Sequence, residues 1–196
     1  MKKFTQQEFD ALPTIDGWRH CPAGDYSAIC SFGERCRFGT GCRFGEWCSF
    51  GEGCRFGERC SFGTGCRFDA WCSFGTGCRF GERCRFGTGC RFGEGCRFGE
   101  RCSFGERCSF GERCSFDGLS MCPGNPYIAF DRFGSELRKT YFFNAETGIH
   151  VRAGCFFGTL AEFKAKVLED VPADSLKARQ YFACCDLAEL TFGVTS

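Results

Sequence analysis

This 196-residue chain lacks a signal-like start, a membrane-length apolar run and a charge excess. The opening MKKFTQQEFDALP has two lysines but no apolar stretch of signal-peptide length, so export is not expected from it. No segment approaches eighteen consecutive apolar residues, which argues against a membrane-spanning helix. The formal charge is only +1, so the whole molecule neither imitates a polyanion nor is strongly drawn to one. Histidine occurs twice, at His20 and His150, leaving acid–base chemistry few carriers. The expected setting is the reducing cytoplasm, with most thiols free.

What is abundant is a repeat. Of 20 Cys, 28 Gly and 26 Phe, most fall into one pattern. Cysteine stands at every sixth position from Cys30 through Cys114, and phenylalanine follows two residues later each time, from Phe32 through Phe116. Glycine comes next except at Asp69 and Asp117, and because Asp tolerates a left-handed backbone the position after Phe reads as a corner. Cys and Phe, two apart, point the same way on a short strand, and the residue between them points out. Three such sides close a triangle of eighteen residues per coil, with columns such as Phe32, Phe50, Phe68, Phe86 and Phe104 stacked at about 4.8 Å. A five-residue period would mean a pentapeptide solenoid, some of which imitate DNA. The period of six argues against that, and so does the charge of residues 30–119, fourteen Arg against nine Glu and two Asp.

Written from its phenylalanine, the unit Phe32-Gly33-Glu34-Arg35-Cys36-Arg37 resembles the hexapeptide repeat of left-handed parallel β-helix proteins, with Phe at the large inward site and Cys at the small one. The resemblance covers about half the chain and departs from the family in using Phe where Leu, Ile or Val is usual. It implies a mainly β triangular solenoid. It also raises acyl transfer as an alternative activity, because many such proteins are trimeric acyltransferases with a His base and a coenzyme A or acyl carrier protein donor. His20 and His150 are then the candidate bases. Those enzymes usually project a loop from the coils, and nothing interrupts Cys30 to Phe116. Without a loop, no concavity for a small molecule is expected.

The repeat cysteines read as small, buried, reduced filler. Zinc sites use close pairs such as C-x2-C, which the repeat lacks, so no metal or other cofactor is expected. Outward positions carry Arg or Ser after each Cys, while Glu or Thr and then Arg, Gly or Trp occupy the turns. The stack at 34, 52, 70, 88 and 106 reads Glu, Glu, Ala, Thr, Glu, which suggests a solvated surface. Nucleic acid is disfavoured because Glu interleaves with Arg and the aromatic platforms Trp47 and Trp71 fall on different sides. Ice binding needs a flat array of Thr, and Thr40, Thr64, Thr76 and Thr88 do not align into one.

Three segments are expected: an N-terminal cap with an irregular first coil over 1–29, the β-helix over 30–122, and an α+β module over 123–196. Thr5 and Glu8 form a capping box for a helix at about 5–12, with Phe4 and Phe9 at the hydrophobic-staple positions and Tyr26 in the Phe phase. In the module, YIAF, LRKTYFF and IHVRA read as strands. Thr159 and Glu162 open a helix over 160–170, and a last helix spans 175–190. The stretch IHVRAGCFFGTLAEFKAKV resembles tails of uncharacterised bacterial and prophage proteins that also carry β-solenoids, pointing to a phage or mobile-element origin. The expected function is a non-catalytic scaffold or protein-binding protein, self-associating, with Trp47, Trp71, Tyr141, Phe156 and Phe157 as contact residues for an unidentified protein partner.

Overall fold

The computed structural model describes residues 1–105, 107–116, 118–120, 122, 127–133, 138–153 and 156–193. The chain forms two compact units, Met1–Gly118 and Leu119–Ser196. The first is a parallel β-solenoid. Short strands pair with the strand eighteen residues away, as in Phe68↔Phe86, so three strands complete a coil. Face 1 is built from Ser31–Phe32, Ser49–Phe50, Arg67–Phe68, Arg85–Phe86 and Ser103–Phe104. Face 2 carries Trp18–Cys21, Cys36–Phe38, Arg55–Phe56, Ser73–Phe74, Arg91–Phe92 and Ser109–Phe110. Face 3 carries Asp25–Tyr26, Arg43–Phe44, Ser61–Phe62, Arg79–Phe80, Arg97–Phe98 and Ser115–Phe116.

Three phenylalanines per coil fit because their rings alternate two geometries. Within a column they stack, as Phe50 on Phe68 at 4.8 Å with planes 3° apart. Between columns they meet edge to face, as Phe62 and Phe68 at 5.0 Å and 88°. Both arrangements suit the aromatic quadrupole better than an eclipsed sandwich. The small site is more than filler. Cys54, Cys72 and Cys96 donate through Sγ to the carbonyls of Gly33, Gly51 and Gly75 in the preceding coil, at 3.3, 3.5 and 3.4 Å. A buried carbonyl needs a donor, and a thiol supplies a weak one without enlarging the core. All described cysteines are free thiols, and Cys155 lies outside the described residues.

The corners differ from the sequence reading. The left-handed residue is the one before Cys, with φ of 50° at Arg35, 59° at Trp47 and 69° at Gly53, not the glycine after Phe. At most coils space favours that glycine: a Cβ at Gly51 would stand 2.7 Å from the backbone nitrogen of Glu34 in the coil before, although Gly33 has open space and Asp69 is accommodated. Asp69 is not left-handed either, and Asp117 lies outside the described residues. A non-glycine left-handed residue is strained, so Arg83→Gly (φ 57°) is expected to stabilise the solenoid by roughly 0.5–1 kcal/mol, the relief exceeding the added chain entropy. Urea unfolding checks this, and an unchanged or lower midpoint contradicts it.

The N-terminal cap closes one end. The helix is Gln6–Asp10, shorter than expected, with the Thr5–Glu8 capping box formed. Phe9 takes the place of a core ring, edge-on to Phe32 at 5.1 Å, while Phe4 stacks on Tyr26 at 4.6 Å. Backbone bonds from Phe4 to Asp25 and from Asp25 to Lys2 cover the exposed edge of the first face-3 strand.

The second unit is an antiparallel sheet of Tyr127–Phe133, Arg138–Ala145, Gly148–Ala153 and Phe156–Thr159, in that order. Its fourth strand is absent from the sequence reading because FFGT is short and runs into the next helix. The helices Leu160–Asp170 and Leu176–Phe192 pack on one face around Phe142, Val151, Phe163 and Cys185. Thr159 and Glu162 form the second capping box.

Candidate functional site

The sixfold pattern sorts charge by position. In every repeat unit the residue after Cys, which points out from the middle of a strand, is Arg or Ser. The repeat's glutamates all fall on corners, so within the repeat the flat faces carry cations and hydroxyls only. Glutamate therefore interleaves with arginine at the corners and not along a face. Glu106, one of those ladder residues, lies outside the described residues. Arg residues also stand directly opposite one another in register, Arg37↔Arg55 on face 2, Arg67↔Arg85 on face 1 and Arg79↔Arg97 on face 3. Like charges so paired are unfavourable.

In one corner column, Arg35, Gly53, Trp71, Gly89 and Arg107, large and small residues alternate. The benzo ring of Trp47 fills the space a side chain at Gly65 would need, and Trp71 does the same over Gly89. The two indoles remain 63% and 52% exposed, on different corners.

Two open grooves flank the corner between faces 2 and 3, contrary to the expectation of no concavity. On face 2 a groove of about 860 Å³ runs from His20 and Pro22 past Arg37, Thr40 and Arg55 to Ser73. The guanidinium carbons of Arg37 and Arg55, both in its lining, lie 5.3 and 4.4 Å from the Trp18 ring. On face 3 a narrower trough of about 400 Å³ is floored by Gly41, Gly77 and Gly95 and lined by Arg43, Arg59, Arg79 and Arg97, with Ser61 between. Carboxylates are absent from its lining. Among the described residues the repeat's ion pair is Arg113 with Glu94, outside that lining. The sequence signal for these grooves is the restriction of one position in six to Arg or Ser, legible in the repeat itself, and its sorting onto three faces emerges when residues eighteen apart are aligned.

In the second unit, His150 is half-buried and lies 3.0 Å from the Thr147 hydroxyl through Nε2. Arg152 places its guanidinium carbon 4.9 Å from the Phe157 ring. Phe157 is 41% exposed, Phe156 packs against Phe163 at 5.4 Å, and Tyr141 is buried. His20 and His150 belong to different units.

A family model described as an RNA-binding, Nab2-type zinc finger matches overlapping windows that begin with 29–45 and end with 102–117, fewer than half of the chain's residues. The residues do not fit a zinc site. Histidine is absent between 29 and 117, the repeat thiols from Cys36 to Cys102 are buried, and Cys54 and its successors donate to backbone carbonyls of the preceding coil, glycine's in each case but Cys90, which donates to that of Asp69. Among the described residues no group of three or more His, Cys, Asp or Glu is placed to hold a metal ion. A structural zinc needs four converging ligands. No curated protein and no solved structure matches the chain. Within residues 29–117 the chain is thus similar to these zinc fingers in sequence, over a solenoid that buries the thiols from Cys36 to Cys102 in its core.

Proposed function

We propose that this protein is a non-catalytic binding scaffold, built on a left-handed β-helix of the hexapeptide-repeat kind, self-associating, cytoplasmic and of phage or mobile-element origin. The observation that carries the reading is the filled core: from Cys36 to Phe104 every inward Cys and Phe is buried. The interior has no room for a substrate, and recognition is left to the outer surface, with Trp47, Trp71 and Phe157 as exposed aromatic anchors.

Acyl transfer is the second reading. It is favoured by His20 at the head of the face-2 groove, with Arg37 and Arg55 beside it as partners for donor phosphates. Purified protein incubated with acyl-CoA and a panel of amine and hydroxyl acceptors is expected to show no turnover. Turnover that disappears in His20→Ala or His150→Ala would replace the scaffold reading with the enzymatic one. Sedimentation should give a multiple of 21.9 kDa, and a monomer at all concentrations would remove self-association from the proposal.

A further inference from the structure

We propose that the face-3 trough binds the phosphodiester backbone of single-stranded nucleic acid. This goes beyond the scaffold reading and does not depend on it. The trough presents one guanidinium per coil, from Arg43, Arg59, Arg79 and Arg97 in succession. The coils rise by 4.8 to 4.9 Å, as the stacked rings Phe44, Phe62, Phe80 and Phe98 show, so Arg43, Arg79 and Arg97 stand in one straight strand column about 15 Å long, and Arg59 serves the coil of Ser61 from the adjoining corner. Arg79 and Arg97 are held side by side at a position where Ser61 and Ser115 show that serine serves the fold equally well. The same pairing occurs on the other two faces, but here it borders a trough whose lining holds no carboxylate, where an anion between the two guanidinia relieves it.

A straight row suits an extended single strand. Duplex phosphates follow a helical path and would meet the row at few points. An acidic peptide would also bring backbone groups seeking partners, but the corner amides here are already used, Gly41 to Glu58 and Gly77 to Glu94, each at 2.8 Å. On the other border of the same face, Trp47 follows the strand Arg43–Phe44 and offers an exposed ring on which a base can stack. Arginine forks on phosphates with one stacking platform give affinity without sequence preference.

The test is fluorescence anisotropy of a labelled oligothymidylate with the full chain, across a salt series, with and without EDTA. Binding should weaken with salt and be indifferent to the chelator. The double variant Arg79→Ser/Arg97→Ser should bind about tenfold or more weakly, with the salt slope reduced by about 0.7 for each arginine removed. Its circular dichroism should be unchanged. The control pair Arg67→Ser/Arg85→Ser on face 1 should bind as the parent does. The proposal is overturned if no binding occurs, if both variants lose affinity equally, if EDTA abolishes binding, or if polyglutamate competes better than unlabelled oligothymidylate.

Discussion

Raising the pH from 8 to 10 in reducing buffer is expected to unfold the solenoid. Cys72, Cys78 and Cys84 each sit between two further thiols of their column. Hydrogen bonds from those neighbours, together with burial, push their pKa far above the ordinary value. Cys54 is raised to about 12 by its hydrogen bond with Cys36 and by burial, against a lowering from Cys72. The native state keeps these protons, whereas the unfolded chain releases them above about pH 8.5. Stability is therefore complete below the unfolded pKa and falls as pH rises toward the folded one. Each retained proton costs about 1.4 kcal/mol per pH unit, so the three central thiols alone remove about 4 kcal/mol per unit. Urea midpoints measured from pH 7 to 10 should fall steeply above 8.5. A flat profile would mean that the thiols ionise in place, which a dry core forbids.

Phe68→Ala is expected to destabilise the solenoid by about 3–5 kcal/mol. The Phe68 ring stacks on Phe50 and Phe86 at 4.8 and 4.9 Å and meets Phe56, Phe62, Phe74 and Phe80 edge-on at 5.0 to 5.8 Å. Rigid coils above and below cannot collapse into the void, so the cavity contribution stays large. Phe110→Ala, at a ring only partly buried near the end of the stack, should cost less. Denaturant unfolding of both variants compares them directly. Equal small losses would show that the rings are not the principal source of cohesion.

The solenoid was legible because one physical constraint repeats without interruption. A residue that points inward every second position and a turn every sixth leave little choice of winding, and Tyr26 could be placed in the Phe phase before its ring was seen on Phe44 at 5.6 Å. The capping boxes at Thr5 and Thr159 were legible for the same reason, since their chemistry is local. The corners were not. Glycine after Phe invites a left-handed reading, but its cause is the approach of another coil, a contact eighteen residues distant. Arg and Trp at left-handed positions run against residue preference, and they fit where a glycine in the next coil makes room, as Gly65 does for Trp47. The Arg trough was hidden likewise, because reading residues in order mixes three faces that the winding separates.

Core and surface are thus written with different periods. Any six-residue unit can replace any other as far as the interior is concerned, whereas the exterior repeats its neighbours only after a whole turn. Excising a single unit between Trp47 and Gly65 would leave every core column filled with rings yet bring Trp71 to rest on Trp47, indole against indole, and move each later arginine to the adjoining side. Such a protein can lengthen or shorten by full turns and keep its surfaces, while a shorter step folds as before and presents a different molecule to whatever it meets.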